Sequence, residues 1–236
     1  MAVPANWVPG PGIERAIVLL SGGLDSVVTS AFAAAVARDV LALTFDYGQR
    51  AAAREIIAAR AVAEALGIQW QKIDLTWLGE LGASALTDRC VPIPSSEALA
   101  EEERSAAVWV PNRNMVFVAV AGAYADAWSY QAILLGLNKE EAAVFPDNSI
   151  QFASACTAAL SWSTRVRPVV WGPLAGLDKR EIVEFGRQIG APLELVWSCY
   201  GEGPAHCWEC DSCRRLRTAL EAARAWPEHK PRWGEA

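Results

Sequence analysis

Residues 21–26, with the sequence SGGLDS, form the glycine-rich turn of this chain whose residue types are best suited to chemistry. The apolar residues 16–20 come directly before the turn and predict a buried strand, and residues 27–32 predict the first turns of a helix. A strand, a glycine-rich turn and a helix in this order direct backbone N–H groups at an anion. The sequence therefore predicts a phosphate site, which we call the phosphate loop. The simpler alternative is an ordinary glycine-rich turn capped by serine.

Each residue type in the phosphate loop has a chemical reason to be there. Gly22 and Gly23 permit positive φ and let the backbone approach a phosphate closely. Ser21 and Ser26 supply hydroxyl donors. Asp25 has the wrong charge to bind a phosphate directly, so we expect it to hold the loop or a Mg²⁺ ion. The loop matches neither G-x-x-x-x-G-K-[ST] nor G-x-G-x-x-G, which excludes two common nucleotide-binding motifs here.

A second cluster of chemically capable residues lies near the end of the chain, where Cys199, Cys207, Cys210 and Cys213 have the spacing C-x7-C-x2-C-x2-C. Four thiolates in a tetrahedral array are a common structural zinc site, and a closed site of this kind leaves no position for catalysis. The alternatives are a [4Fe–4S] cluster, unpaired thiols and disulfides. His206 borders the cluster, and we expect it to lie behind the ligands or at the surface.

The other residues near this cluster have simpler interpretations. Arg214, Arg215 and Arg217 fall on a predicted helix, where they either balance the charge of a four-thiolate site or are solvated. Cys90 and Cys156 are isolated in the sequence, and we interpret them as small apolar core or loop residues.

Composition places the chain among folded proteins. It has 236 residues, of which 53% are hydrophobic and 20% charged, which excludes disorder and permits a large core. The net charge of −6 argues against a protein that binds nucleic acid through a broad basic surface. The apolar residues 115–125 are too few for a membrane span. Residues 1–12 predict a flexible lead-in and no signal peptide, so we expect a cytoplasmic protein with reduced cysteines.

Strand and helix patterns alternate along the chain, which predicts an α/β fold with a parallel sheet and helices on both of its faces. An α/β domain that carries the phosphate loop would span residues 13–192, and a zinc-binding segment residues 193–236. Predicted strands cover residues 16–20, 40–45, 69–75, 132–137 and 166–170. Predicted helices cover residues 24–37, 49–66, 114–128, 150–161 and 178–189.

Two long connections interrupt this alternation. Residues 77–108 contain the acidic run 101–103, which we interpret as solvated surface, and residues 138–148 follow the fourth predicted strand. Long loops in a compact α/β domain are usually lids or binding loops. Because ligands bind at the carboxyl ends of parallel strands, we expect the second connection to lie near the phosphate loop.

Several motifs together resemble one family, the 7-cyano-7-deazaguanine synthases. The phosphate loop is similar to the S-G-G-x-D-S loop of the N-type ATP pyrophosphatases, the larger superfamily. Residues 44–50 (TFDYGQR) match a motif of the family closely, and residues 109–114 (WVPNRN) resemble its F-V-P-G-R-N segment. Residues 173–174 with 178–179 resemble its P-L…K helix entry, and Ser198-Cys199-Tyr200 opens the cysteine cluster as in the family. The resemblance implies an adenine nucleotide alpha hydrolase-like fold.

The resemblance also implies roles for particular residues. Arg113 begins a predicted helix and is expected to contact an anion or amide; the alternative is a salt bridge on the helix surface. Lys179 is expected to reach the ATP phosphates, and the alternative is an exposed helical lysine. Tyr47 either stacks on a base or packs in the core. The predicted catalytic residues are Ser21, Asp25, Ser26, Arg113 and Lys179. The predicted ATP-binding residues are Leu20, Ser21, Gly22, Gly23, Leu24, Asp25, Ser26, Thr44, Phe45, Asp46 and Gln49.

One segment departs from the family. The family carries G-x-x-x-x-D-x-S-G-Y-P-D-C-R after its fourth strand, whereas residues 136–149 here read GLNKEEAAVFPDNS. We call residues 138–149 the acceptor loop, because we expect it to face the group that receives AMP. Asp147 is expected to accept N–H groups of a guanine-like edge; the alternative is that it caps the helix beginning near residue 150. The predicted substrate-binding residues are Arg113, Asn114, Gly136, Glu141, Phe145, Pro146 and Asp147.

The resemblance implies an ATP-dependent ligase that converts 7-carboxy-7-deazaguanine and ammonia to 7-cyano-7-deazaguanine, with Mg²⁺ at the phosphates and a structural Zn²⁺. The altered acceptor loop keeps a second possibility open, in which the enzyme adenylates another deazapurine, a protein or an RNA group. A third possibility is a nucleotide-binding module without chemistry. The abundance of apolar and Trp residues is consistent with a homodimer.

Overall fold

The computed structural model describes residues 12–94, 100–231 and 233. The predicted lead-in therefore lies outside the described residues, apart from Gly12. The strands are β1 (Arg15–Leu19), β2 (Asp39–Asp46), β3 (Gln69–Asp74), β4 (Ala132–Leu134) and β5 (Val169–Trp171). The α-helices are α1 (Leu24–Val36), α2 (Ala52–Leu66), α3 (Glu101–Ala107), α4 (Arg113–Trp128), α5 (Lys139–Ala142), α6 (Ile150–Ser163), α7 (Lys179–Gln188) and α8 (Asp211–Ala222).

All five strands are parallel and lie in the order β3-β2-β1-β4-β5. The chain first builds outward from β1 to β3 and then returns to the other side of β1 with β4. The strand order therefore reverses between β1 and β4. At such a point the loops that follow the two strands diverge and leave a crevice at their carboxyl ends.

The sheet is covered on both faces, as its alternating residues show. In β1, Ala16 and Val18 join one buried cluster with residues of α1, α2, α7 and α8, whereas Ile17 joins a second cluster with residues of α4 and α6. Successive strand residues point to opposite faces, so two separate clusters require two covered faces. This confirms the predicted α/β class with a parallel sheet between helical layers.

Local sequence signals explain where two of the helices end or begin. Gly67 takes a left-handed φ of 64° and its N–H bonds the carbonyls of Ala63 and Glu64, which ends α2. Asp178 accepts the N–H of Glu181, while the Glu181 side chain accepts the N–H of Asp178. This capping box fixes the start of α7 and so the position of Lys179, the first residue of that helix.

The predicted elements are confirmed with shifted ends. The fifth strand begins at Val169 and not at residue 166, because the N–H groups of Arg165 and Val166 donate to Asp126 at the end of α4. The connection 77–108 contains a 3-10 helix (Thr76–Leu81) and α3, which the sequence did not predict. Glu102 and Glu103 of the acidic run are exposed, as expected.

The C-terminal segment packs onto the α/β domain. Leu216, Ala219 and Leu220 of α8 lie in the same buried cluster as Ile182 and Val183 of α7. The helix predicted around the arginines is thereby confirmed and its apolar face is covered. Across the ranges given above, every helix is too short or too polar to span a bilayer.

Candidate active site and metal centre

A cavity of about 320 Å³ opens at the reversal point of the sheet. The phosphate loop forms one side of it, and the first turn of α4 and the acceptor loop form others. Residues around the cysteine cluster and the start of α8 complete the wall. Segments far apart in the sequence therefore converge at the place where an α/β fold binds ligands.

The phosphate loop is held by contacts between its own residues. The Ser26 hydroxyl donates to the Gly23 carbonyl at 2.9 Å, and the Ser21 N–H donates to Ser26 Oγ at 3.2 Å. Gly22 has a φ of 89°, and a Cβ added there would lie 3.1 Å from the Cβ of Ala58. The Gly22 carbonyl also accepts the N–H of Trp197 at 2.8 Å, so the chain leading to the cysteine cluster supports the loop.

Gly136 holds the exit of β4 against the phosphate loop. A Cβ at this position would lie 2.9 Å from the backbone nitrogen of Ser26 and 3.0 Å from the carbonyl carbon of Asp25. Real Cβ atoms essentially never approach backbone so closely, and these backbone atoms cannot turn aside. Only glycine fits here without moving one of the two segments.

Lys179 joins the phosphate loop to the acceptor loop. Its ammonium lies 2.5 Å from Asp25 Oδ2 and 2.8 Å from Glu141 Oε1, and its side chain is only 12% exposed. Asn138 Nδ2 also donates to Asp25 Oδ2, and Asn138 Oδ1 accepts the N–H of Glu141. This geometry excludes the exposed helical lysine that was the alternative for Lys179.

Burial and the shared ammonium set the charges of this group. Burial raises the pKa of Asp25 from 3.8 to about 6, against the opposing effect of Lys179, and the nearby Glu141 carboxylate adds to the rise. Burial alone would lower the pKa of Lys179, but the two carboxylates outweigh it and raise that pKa. Burial alone would raise the pKa of Glu141, but the charge and hydrogen bond of Lys179, with the hydrogen bond to Asn138, lower it. Lys179 and Glu141 are therefore charged at neutral pH, and Asp25 titrates closest to it.

The opposite wall of the cavity contains a series of buried polar side chains joined by hydrogen bonds. Arg113 Nη1 donates to the Tyr47 hydroxyl at 3.2 Å, Gln49 Oε1 accepts the Tyr47 N–H at 2.9 Å, and Gln49 Nε2 donates to Glu55 Oε2 at 2.7 Å. The Tyr47 ring packs against Phe117, which favours the core interpretation of this residue. The surface salt bridge considered for Arg113 is wrong, because its guanidinium faces the cavity and Tyr47.

Glu55 is a site residue that the sequence analysis missed. It lies in the first turn of α2 and lines the cavity, where burial raises the pKa of its carboxyl group despite the hydrogen bond from Gln49. Its position one helical turn after the TFDYGQR motif is the only sequence signal that could have indicated it.

The acceptor loop contributes the acidic side chain of Asp147 to the cavity. Asp147 lines the cavity, and burial raises the pKa of its carboxyl group against the opposing charge of Arg113. It does not cap α6, because Ser149 is the N-cap and its hydroxyl accepts the N–H of Phe152 at 3.1 Å. The capping alternative for Asp147 is therefore wrong, and the carboxylate is available to the cavity.

Two aromatic rings line the same part of the cavity. Trp109, which comes two residues after α3, and Phe145 of the acceptor loop have ring planes only 10° apart and centroids separated by 6.2 Å. Their near-parallel faces give the cavity a flat apolar surface beside the polar side chains of Arg113 and Asp147.

The structure brings most of the predicted site residues to the cavity but not all. Thr44 donates to the Leu20 carbonyl and accepts from Trp70, and Asp46 faces Lys72 and the Gly48 N–H. Gly22 lies against α2, and Pro146 opens a 3-10 turn. These four do not line the cavity, which corrects their placement among its contact residues. The predicted residues that line it are Leu20, Ser21, Gly23, Leu24, Asp25, Ser26, Phe45, Gln49, Arg113, Asn114, Gly136, Glu141, Phe145, Asp147 and Lys179.

The four predicted metal ligands lie together. The sulfur atoms of Cys199, Cys207, Cys210 and Cys213 all lie within 4.8 Å of one another, and the Cys207–Cys213 separation is 3.9 Å. A tetrahedral zinc with bonds of about 2.3 Å places its sulfurs about 3.8 Å apart, so the arrangement fits that ion. The N–H of Gly201 points at the sulfur of Cys199, and the N–H of Cys210 at that of Cys207. Such donors stabilise thiolates, and the cluster is a candidate structural metal site.

His206 lies behind the metal ligands, as expected, and it is buried. Its Nε2 accepts the N–H of Ser198 at 3.1 Å, and its ring packs between Trp197 and Trp208. The surface alternative for His206 is therefore wrong. The histidine orients the chain that leads into the cluster and is not one of the four ligands.

Comparison with known proteins finds relatives over most of the chain. The 7-cyano-7-deazaguanine synthase of Pelotomaculum thermopropionicum is 45% identical over 215 residues, covering 89% of this chain and 97% of that protein. The enzyme of the same name from Desulforudis audaxviator is 47% identical over 214 residues, with the same coverage. The solved NMN synthetase of Francisella tularensis has a TM-score of 0.48 and 15% identity, over 92% of this chain and 87% of that one.

A family model described as queuosine biosynthesis protein QueC matches residues 15–224. The match begins at the first residue of β1 and ends beyond the last residue of α8, so it includes the phosphate loop, the acceptor loop and all four clustered cysteines. The resemblance inferred from the motifs is confirmed: the chain belongs to the queuosine biosynthesis protein QueC family.

Proposed function

We propose that the protein is an ATP-dependent ligase that converts 7-carboxy-7-deazaguanine and ammonia to 7-cyano-7-deazaguanine. The observation that carries the proposal is the ion pair of Lys179 with both Asp25 and Glu141, which places the phosphate loop and the acceptor loop on one cavity. A reaction that transfers AMP to an acceptor needs the two substrates side by side. The relatives are named for the product 7-cyano-7-deazaguanine, and the proposed acceptor is the carboxylate from which that nitrile can be made.

The proposed chemistry proceeds through two adenylations. A carboxylate oxygen of the acceptor attacks the α-phosphorus of ATP, and the bond to the β-phosphate oxygen breaks, so pyrophosphate leaves with the electron pair. Ammonia attacks the activated carbonyl carbon, AMP leaves, and a proton is lost to give the amide. The amide oxygen then attacks the α-phosphorus of a second ATP, and a second pyrophosphate leaves with its electron pair. Loss of that AMP and of the two nitrogen-bound protons yields the nitrile.

The residues of the phosphate loop and Lys179 are proposed to bind the triphosphate. The N–H groups at the start of α1 provide an anion site, to which Ser21 and Ser26 add hydroxyl groups. Lys179 would neutralise charge on the departing pyrophosphate when ATP displaces one of its carboxylates. Arg113 lies across the cavity, where its guanidinium can hold the acceptor carboxylate.

Asp25 is the proposed Mg²⁺ ligand. Its Oδ1 is buried and accepts no hydrogen bond from any described residue, so this oxygen fits a hard cation. When bound there, Mg²⁺ would supply positive charge that stabilises the negative charge developing on the phosphates. Asn138 and Lys179 both contact the other oxygen, Oδ2, and so hold the carboxylate in orientation.

The acceptor is proposed to lie between the aromatic and the acidic parts of the acceptor loop. The faces of Trp109 and Phe145 match the flat bicyclic ring of a deazapurine. Asp147 can accept the N–H groups of a guanine-like edge, which a purine with a different edge would not supply.

A second acceptor is the main alternative, and the sequence of the acceptor loop favours it. Phe145 replaces a tyrosine of the family pattern, and Ala143 and Val144 replace Ser-Gly. Each lost hydroxyl removes a hydrogen bond of about 0.5–1.5 kcal/mol, which is enough to change the preferred acceptor.

Product analysis tests the proposal. The protein would be incubated with ATP, Mg²⁺, ammonium and a panel of carboxylated deazapurines, and products would be identified by mass spectrometry. We expect 7-cyano-7-deazaguanine with two AMP and two pyrophosphate per nitrile. AMP formation with another acceptor only would select the second function, and the absence of AMP with every acceptor would indicate a binding module. Production of ADP would contradict both enzymatic proposals.

Zinc as the bound metal and a homodimer are two further proposals. The sulfur separations and a closed set of four thiols support zinc, and elemental analysis for one zinc per chain tests it. For the dimer, Trp162 of α6 is 92% exposed and Trp128 at the end of α4 is 47% exposed. Large exposed aromatic residues favour association, and sedimentation velocity would measure it.

A further inference from the structure

A second cavity adjoins the candidate active site on the side of Lys179. It has a volume of about 370 Å³ and lies between the start of α7 and one face of α8. We call it the arginine cavity. Its lining shares Lys179, Arg104, Arg215, Asp211 and Pro94 with the first cavity. The two spaces therefore meet at the residue proposed to hold the departing pyrophosphate.

The arginine cavity is basic in a protein that is acidic overall. Its lining contains five cationic side chains and three carboxylates, whereas the whole chain has a net charge of −6. All three carboxylates are engaged: Asp178 caps α7, Glu140 accepts the N–H of Lys179, and Asp211 lies 3.1 Å from Arg215 and 3.7 Å from Arg104. Arg180 also pairs with Glu184, outside the lining, so an anion would compete with that carboxylate. The excess of cations favours a small anion of high charge. The cationic residues are Arg104, Lys179, Arg180, Arg214 and Arg215.

The exposure of the cationic side chains increases away from the active site. Lys179 is 12% exposed, Arg215 is 28% exposed and Arg180 is 47% exposed. Lys179 and Arg215 line both cavities, whereas Arg180 lines the arginine cavity alone and is the most exposed of the three. An anion released at Lys179 meets further cations at each step outward, and guanidinium groups can bind phosphate oxygens in pairs.

We propose that the arginine cavity binds inorganic pyrophosphate on its way out of the active site. The inference rests on the proposed function, in which each adenylation leaves pyrophosphate beside Lys179. A site that takes up this product would keep it from re-attacking the adenylated acceptor while AMP still awaits displacement. It would also leave the acceptor side of the first cavity open for ammonia.

Product inhibition tests the site. Pyrophosphate would be added to the full-length protein during turnover, and its inhibition constant compared between wild type, Arg180→Gln and Arg214→Gln. Each charge-assisted phosphate contact that is lost should raise this constant about tenfold, while KM for ATP changes less than threefold. Arg217→Gln is the matched control, because Arg217 lies on α8, pairs with Glu221 and is absent from the cavity lining.

Three outcomes would overturn the proposal. An unchanged inhibition constant in both variants would show that pyrophosphate does not bind there. A parallel rise of KM for ATP would assign the cavity to the bound triphosphate. An equal effect of Arg217→Gln would reduce the site to general surface charge.

If no turnover is found, calorimetric titration of magnesium pyrophosphate into the same four proteins still tests the site. Weaker binding by the two cavity variants alone would then support the pyrophosphate site while the proposed function itself fails. Equal binding by all four proteins would reject the site.

Discussion

The phosphate loop and the acceptor loop meet in one cavity, but different kinds of contact hold them in place. The phosphate loop is fixed mainly by hydrogen bonds among residues 21–26, with glycine where the backbone must turn and one outside contact from the Trp197 N–H. The acceptor loop has hydrogen bonds of its own, but contacts from distant parts of the chain hold it at the cavity: Lys179 holds Glu141, and Asn114 donates to the Asp147 carbonyl. A loop closed on itself keeps its pattern, whereas a loop held from outside can change residues between its contacts. The acceptor loop is where this chain departs from its family.

Removal of a cysteine should have the largest effect, because it takes away the support under the phosphate loop. Metal binding contributes roughly 10–16 kcal/mol in small zinc peptides, as much as the whole stability of many domains. We expect Cys210→Ser to lose its metal and most of its soluble, folded protein, as measured by elemental analysis and thermal melting. Cys90→Ser, at an exposed cysteine outside the cluster, should resemble wild type. Iron with sulfide in the wild type, or a stable Cys210→Ser, would contradict the zinc assignment.

Substitution of Asp25 should break the connection between the two loops without unfolding the protein. Asp25→Ala removes the proposed Mg²⁺ ligand and one partner of Lys179, and we expect AMP formation to fall about 10²- to 10³-fold. The melting temperature should stay near the wild-type value, because the raised pKa of Asp25 shows that burial disfavours its charged form and because Lys179 keeps Glu141 as a partner. Ser21→Ala should also suppress AMP formation. Near wild-type rates in both variants would reject the phosphate-loop assignment.

Substitution of Asp147 distinguishes the function of the acceptor loop from that of the phosphate loop most directly. We expect Asp147→Asn to raise KM for the deazapurine about tenfold, because a charged acceptor becomes in part a donor facing donors, while KM for ATP stays within twofold. Its melting temperature should not change. Ser149→Ala is the matched control: loss of the N-cap of α6 should cost about 1 kcal/mol of stability and leave both KM values unchanged. A variant of Asp147 that loses stability and keeps its acceptor affinity would return this residue to a structural role.

The smallest effect is expected from a change of pH, which alters the charge of Asp25, where the two loops are joined through Lys179. Below about pH 6 the Asp25 carboxyl group of the ligand-free protein becomes protonated and loses the charge that a cation needs. The value of kcat/KM for ATP, which reports the free enzyme, should therefore fall on the acid side of pH 6 and be roughly tenfold lower at pH 5. A profile that is flat between pH 5 and pH 7 would show that another group limits ATP use.

The parts of the site that the sequence revealed are those built from neighbouring residues. The phosphate loop and the cysteine spacing are local patterns, and both predicted the correct grouping. The contacts that Lys179 and Arg113 make could not be predicted from the sequence. Each of these residues lies at the start of a helix, and its partners follow other strands that are far away in the sequence. Thr44 and Asp46 belong to the TFDYGQR motif, but they were misplaced because they lie at the end of β2, where their side chains turn to Trp70 and Lys72, away from the cavity.

The fold was predictable to the same extent. Apolar runs identified β1, β2, β4 and β5, and Gly67 and Asp178 marked helix ends that the structure confirms. The beginning of β5 was missed because Asp126 binds the preceding backbone, which is a contact between distant residues. The helix α3 was missed because its seven residues carry an acidic run and too few apolar positions to show a period.

Gly136 sets the distance between the two loops, and through it the alignment of the two substrates. With only a hydrogen atom facing Ser26, the base of the acceptor loop has no freedom to approach the phosphate loop more closely. A single methyl group would act as a wedge and move one loop away from the other by several tenths of an ångström. Adenylation needs its attacking oxygen about 3 Å from phosphorus, so such a wedge would disturb the alignment even with every side chain in the cavity unchanged.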